Sequence, residues 1–356
     1  MKKVLIIGAT DAMGKPLVDL LSRDNNYRVF ATSRNHHESN VINWIQGNGK
    51  DFSFIQKLLK QNHFDCIVDF MIYSSEEFDN IYNFYLEHTD HYVFLSSARV
   101  YAPKDDVIDE RSPRLIDVSN DVEFLSGKDY SLEKAREEDM LLKSKHNNYT
   151  IVRPSLTYYF DRFQFGLFEE HEFMPMVLSG HSLLLPSDIR DVKVTMTFGV
   201  DVAFMISKII LNNKTYGEIL NVVNPNTTTW QEVLEIYKKE IESKTKQAIN
   251  VKYVNNGLFI AQKLNKINQY KYARSISRSF SNKKTEDLIG SIQYTSIQNG
   301  LSKCISNYIN KYDNKKISDY RLQAKWDILL NEKTKLRNFD NLKHKLGYLF
   351  EMIIRR

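Results

Sequence analysis

A chain of 356 residues with 42% hydrophobic and 12% aromatic side chains can bury a sizeable core, which excludes disorder of the whole chain. Its net charge of +5 sits at one end: residues 311–356 hold 12 Lys/Arg against 6 Asp/Glu, while residues 1–310 hold 37 against 38, so the near-neutral body is no nucleic-acid-binding surface. Two distant cysteines, Cys66 and Cys304, exclude a disulfide framework and a CxxC metal site, and no run of about 18 apolar residues is present to span a bilayer, so a soluble cytoplasmic protein is expected.

The first apolar run, residues 3–8, is followed by Asp11 and Lys15 before a signal-peptide core can develop, and it reads as a strand ending in glycine. Leu17, Leu20 and Leu21 then recur at helical spacing over 14–23. Strands are predicted at 27–33, 64–71, 91–97 and 149–153, and helices at 53–60, 77–88 and 130–145. This alternation implies right-handed crossovers and an α/β doubly wound parallel sheet, a Rossmann architecture.

The expected organisation is a dinucleotide-binding core over 1–155, with segments around 195–225 returning to it. A smaller substrate-binding region over 156–310 contains helices at 200–211 and 229–243, and a basic extension covers 311–356.

Gly8-Ala9-Thr10-Asp11-Ala12-Met13-Gly14 lies where the first strand passes into the first helix, the place where backbone N–H groups can hold a pyrophosphate. Gly8 suits the tight turn and Gly14 the close helix packing. Asp11 replaces the middle glycine of the usual pattern and brings a negative charge, or serves as a helix cap instead. Ser33 and Arg34 stand at the end of the second strand, where an acidic residue would hold a ribose 2′-hydroxyl and an arginine suits a 2′-phosphate. The cofactor is therefore NAD or NADP, with NADP slightly favoured. Asp51 is placed to reach the adenine, and Phe70, Met71 and Pro154, at later strand ends, complete the cofactor set.

Ser97 follows the fourth strand of this pattern, and Tyr130 opens the long helix with Lys134 four residues on. Four residues apart on a helix is one face, and an ammonium there lowers a phenol from its ordinary pKa of about 10, so that Tyr130 can take a hydroxyl proton with Ser97 as hydrogen-bond donor.

The loop Gly8 to Gly14, the segment Ser96 to Tyr101, the Tyr130/Lys134 pair and Val152-Arg153-Pro154 together resemble extended short-chain dehydrogenases/reductases of the NAD-dependent epimerase/dehydratase family. Val200 to Ala203 and Gly217 to Val222 resemble later landmarks of that family, and the likeness covers roughly residues 1–310. The resemblance implies Ser97, Tyr130 and Lys134 as catalytic residues, Lys134 also binding the nicotinamide ribose, and a nucleotide-activated sugar as substrate, as in polysaccharide biosynthesis. Its 4,6-dehydratases carry an acidic pair after the catalytic Ser/Thr; Ala98 and Arg99 stand there, which disfavours dehydration and leaves 4-epimerisation by transient oxidation, or a keto-sugar or carbonyl reduction. A non-catalytic dinucleotide sensor or scaffold is the alternative from another class.

Substrate contacts are expected from Ser97, Arg99, Tyr130, Tyr158, Arg162 and Arg278, with Arg274 a further candidate for a diphosphate. Adjacent His36 and His37 point apart, and His88 and His91 straddle an element boundary, so no metal site is predicted. A homodimer is expected. The interleaved basic and apolar residues of 311–356 suggest a peripheral membrane or protein contact.

Overall fold

The computed structural model describes residues 1–312, 317 and 319–354; the remainder of the basic tail, residues 313–316, 318 and 355–356, lies outside the described residues. Two compact units are present. The first comprises residues 1–159, 195–227 and 278–295, and the second residues 160–194, 228–277 and 296–356.

The first unit is built on a seven-stranded sheet of β1 (Lys2–Ile7), β2 (Tyr27–Ser33), β3 (Asn43–Gln46), β4 (Phe64–Asp69), β5 (Thr89–Leu95), β6 (Tyr149–Pro154) and β7 (Glu218–Val222). Spatial order is β3-β2-β1-β4-β5-β6-β7, and every neighbouring pair is parallel. This is the doubly wound order that the alternating pattern implies.

Successive residues of a strand face opposite sides, so β1 feeds two cores at once. Val4 and Ile6 join Leu17, Val18 and Leu21 of α1 (Gly14–Leu21) and Val202, Met205 and Ile206 of α4 (Gly199–Ile209). Leu5 and Ile7 join Ile55, Leu58 and Leu59 of α2 (Phe52–Gln61) and Leu141 of α3 (Tyr130–Lys143) on the other side.

The predicted helix at 77–88 is instead two short helices, Ser75–Asp79 and Tyr82–Glu87, separated where the Asn80 side chain turns back to donate to the Glu76 carbonyl at 2.8 Å. β3 was not anticipated, because none of its four residues is fully buried and it shows no apolar run.

The second unit has an aromatic core in which Phe163, Phe165, Phe173 and Tyr237 meet at centroid distances of 5.3–6.3 Å. A parallel pair of strands, Leu183–Pro186 and Val251–Val254, lies beside α5 (Trp230–Thr245), α6 (Ile297–Lys311), α7 (Tyr320–Leu330) and α8 (Leu342–Ile354). Thr229 and Glu232 form a reciprocal cap at the start of α5, as their spacing suits. The described residues of 296–354 thus belong to this unit, and none of the described helices is long and apolar enough to cross a membrane.

Candidate functional site

In an all-parallel sheet every strand ends on the same edge, and that edge collects most of the sequence-selected residues of the first unit. Gly8 follows β1, Ser33 closes β2, Phe70 and Met71 follow β4, Ser97 follows β5, and Pro154 closes β6. The crossover α3 begins at this edge with Tyr130.

The glycine loop is tightly built. Gly8 has φ +75°, which an L side chain rarely adopts, and a Cβ on Gly14 would lie 2.8 Å from the Ala9 backbone. One carboxylate oxygen of Asp11 accepts from the Met13 N–H at 2.9 Å and also from the Gly14 N–H, so Asp11 caps α1. The backbone N–H groups of Thr10 and Ala12 donate to none of the described residues. The loop therefore offers a dinucleotide pyrophosphate two open donors and the positive end of a helix, with two further donors already held by a carboxylate. Nearby, Thr32 Oγ1 accepts from the Gly8 N–H at 3.3 Å, and Ser33 Oγ meets His37 Nε2 at 3.0 Å. Arg34 is exposed and makes no ion pair among the described residues. Asp51 caps α2, accepting from the Ser53 hydroxyl at 2.7 Å and from the Phe54 and Ser53 N–H groups, which holds its exposed carboxyl below the ordinary range.

Ser97 opens a short 3-10 turn, Ala98–Val100, and its Oγ accepts from the Arg99 N–H at 3.2 Å. Arg99 joins this turn to α3: its guanidinium stands 5.3 Å from the centre of the Tyr130 ring and 3.4 Å from Asp129, whose carboxylate caps the helix through the Ser131 N–H. Ser97 is buried and Tyr130 half-buried.

Lys134 is only 1% exposed. Its Nζ donates to Glu137 at 2.9 Å and to the Met71 carbonyl at 3.2 Å, and lies 4.7 Å from the Phe94 ring centre, while making no hydrogen bond to Tyr130. Glu137 is itself fully buried, and its other oxygen has no partner. Burial pushes its carboxyl up to about 7 against the opposing pull of Lys134. Below this pair Asp69 accepts from Tyr73 at 3.0 Å and Tyr92 at 2.9 Å, and burial raises its carboxyl too.

One residue along the helix, Glu138 holds Arg153 by two bonds of 2.8 and 2.6 Å, the Ser96 hydroxyl at 2.5 Å and Arg114 at 3.3 Å. Neither glutamate was selected from sequence. Their one available signal is Arg153 directly after the apolar pair Ile151-Val152 of a strand, which demands a buried anion somewhere.

Arg278 is buried and donates to the carbonyls of Ala98 at 3.0 Å and Tyr101 at 3.0 Å, so it pins both ends of the turn that carries Ser97. Desolvation, then the nearby Arg99, lowers it to about 10. Tyr158 is packed against Phe198 at 5.5 Å in the first unit. In the second unit Arg162 is half-exposed, 3.7 Å from Glu169, and Arg274 is buried against the Gly166 carbonyl at 2.9 Å.

His181, which the histidine spacings passed over, lies with Asp327 and Glu332 in the second unit as a group of metal-ligating types. Each carboxylate oxygen there already meets a protein donor: Gln323, Thr334 and Tyr348 serve Asp327, and Ser182 and Lys252 serve Glu332. The network fastens α7 and α8 to the strand Leu183–Pro186.

No family model matches the sequence, and no curated protein is similar to it. Solved structures do share its fold. A dTDP-glucose 4,6-dehydratase from Bacillus anthracis in complex with NAD is 16% identical, with a TM-score of 0.66 over 87% of this chain and 97% of that one. WbmH from Bordetella bronchiseptica, in complex with NAD+, is 12% identical with a TM-score of 0.67 over 87% and 99%. A UDP-glucuronic acid 4-epimerase from Bacillus cereus, with UDP-glucuronic acid and NAD, is 16% identical with a TM-score of 0.63 over 87% and 100%. The chain has the fold of epimerase/dehydratase structures, as its motifs led one to expect.

Proposed function

We propose that the chain is an NAD(P)-dependent enzyme of the epimerase/dehydratase kind, acting on a nucleotide-activated sugar, and that it epimerises its substrate by transient oxidation. The observation that carries this reading is that Ser97 and the start of the helix bearing Tyr130 and Lys134 lie at the carboxyl edge of a doubly wound sheet whose first turn is the Gly8–Gly14 loop. The solved structures of this fold that hold NAD, and in one case UDP-glucuronic acid, support the same choice of ligands.

The Gly8–Gly14 loop and Lys134 would hold the dinucleotide, whose nicotinamide would supply a reversible hydride acceptor for a sugar carbon. Tyr130 takes the proton from that carbon's hydroxyl, Ser97 donates a hydrogen bond to the oxygen, and Lys134 supplies positive charge and a ribose contact. Arg99, set over the Tyr130 ring, adds a second cation beside the base. Ala98 and Arg99 occupy the positions where a dehydratase has its acids, which supports epimerisation over dehydration. The same reading takes the protein as a homodimer.

Reduction of a keto-sugar with NADPH is the second reading, favoured by exposed, unpaired Arg34 at the end of β2. Denaturing the purified protein and identifying the released nucleotide tests both. Tightly retained NAD, with 4-epimers formed from UDP- or dTDP-hexoses, fits epimerisation; a nucleotide-free protein that takes up NADPH fits reduction; binding of neither refutes both.

A further inference from the structure

α8 carries two apolar faces. Tyr348 and Met352 pack inward with Ile317, Ala324 and Phe339, and the Tyr348 hydroxyl donates to Asp327 at 2.6 Å. On the outside Leu342, Leu346, Leu349, Phe350, Ile353 and Ile354 are 68, 58, 42, 62, 75 and 62% exposed. At about 100° per residue these six fall within an arc of about 140° turned away from Tyr348 and Met352. Large apolar side chains gathered on one stripe, rather than scattered singly, mark a surface with an occupant.

The charges around the stripe are one-sided. Lys343 and Lys345 lie near its opposite margins, and Lys333, Lys335 and Arg337 are exposed on the approach to the helix. None of the five makes an ion pair among the described residues. The acids nearby are spoken for: Asp340 bonds His344 at 2.6 Å, and Glu351 faces Arg321 at 3.6 Å.

A second copy of this chain is a poor occupant. A two-fold contact sets the same patch against itself, bringing Lys343 and Lys345 toward their own equivalents with no carboxylate on the face to answer them. An anionic lipid surface answers both features, taking the apolar stripe among its acyl chains and the lysines at its headgroups. The 13-residue helix is too short to span a bilayer.

We propose that α8 lies flat in the surface of an anionic bilayer and holds the protein there peripherally. The proposal stands on the second unit alone and is independent of the catalytic reading.

The test is co-sedimentation of the full chain with vesicles of phosphatidylcholine alone and with vesicles that also contain phosphatidylglycerol. Binding to the mixed vesicles is expected to exceed that to neutral ones by at least about 25-fold and to weaken with salt. L346E/F350E should abolish it, and K343A/K345A should cost about fivefold per lysine while flattening the salt dependence. Both pairs of positions are surface sites, so thermal melts should match the parent. A parent protein that stays in the supernatant, or that binds both vesicle types equally, overturns the proposal. So does a parent dimer that L346E/F350E turns into a monomer in analytical ultracentrifugation without any vesicle binding, which assigns the stripe to a second copy.

Discussion

The Lys134 ammonium, one helical turn from Tyr130, is held 2.9 Å from the buried carboxyl of Glu137. A negative Glu137 offsets the positive charge that Lys134 brings to the site; a protonated one leaves that charge intact. Glu137→Gln, which keeps the shape and removes the anion, should therefore move the rising limb of the pH–rate profile to lower pH by on the order of one unit. A profile that does not move separates Lys134 from control of the base.

The same substitution should alter how stability varies with pH. Burial raises the Glu137 carboxyl to about 7, above its ordinary unfolded value of about 4.3, so the folded state holds a proton that the unfolded state has lost. That contribution is fully present below the unfolded value and disappears as pH rises through about 7. Urea titrations at pH 5 and pH 8 should show the parent losing up to about 3 kcal/mol relative to E137Q across this window. Parallel curves for the two proteins would refute it.

Tyr130→Phe removes only the phenolic oxygen from a half-buried ring. Turnover should fall by at least about a thousandfold, the upper range for a lost general base, while dinucleotide binding followed by fluorescence stays within about threefold. Near-normal turnover would show that another group takes the proton.

Asp11 occupies the N–H groups of Met13 and Gly14 in the loop proposed to hold the pyrophosphate. Asp11→Gly should raise dinucleotide affinity about tenfold by isothermal titration, because a negative charge leaves the site. It should lower stability by only about 0.3 kcal/mol, since glycine is itself tolerated at the start of a helix. Weaker binding would mean that the carboxylate preorganises the loop.

Glu138 is the sole counter-charge bonded twice to buried Arg153 among the described residues. Glu138→Ala should cost about 3–5 kcal/mol in urea denaturation by stranding that guanidinium, and combining it with Arg153→Met should recover a large part of the loss. A double variant no better than the single one would place the cost in the Ser96 or Arg114 contacts instead.

The sheet was legible because its central strands are buried on both faces and so read as unbroken apolar runs such as Val4 to Ile7. β3 escaped because its Asn43-Trp44-Ile45-Gln46 stretch is partly exposed, and the helix at 77–88 was drawn too long because a side-chain bond at Asn80 leaves no mark in periodicity. Within the site, the Ser97, Tyr130 and Lys134 spacing could be read directly, since it is local to one turn and one helix. Glu137 and Glu138 could not. On a helix rich in Glu and Lys they look solvent-facing, and what buries them is Lys134 beside them and Arg153 and Arg114 from other elements. Asp11 could be read from sequence as a negative charge in the loop or as a helix cap, and its bonds to the Met13 and Gly14 N–H groups make it a cap whose charge stays in the loop.

The double anchorage of the Ser97 turn by Arg278 has a consequence for biosynthesis. The carbonyls of Ala98 and Tyr101 receive their guanidinium from a residue synthesised 180 and 177 positions later. A nascent chain can finish all seven strands before that arginine leaves the ribosome, so the scaffold can form while the turn is still unfastened. Fastening of the Ser97 turn then arrives as a late step of maturation, and a product truncated before residue 278 would contain every strand yet lack the closing segment of the first unit, the donor to this turn included.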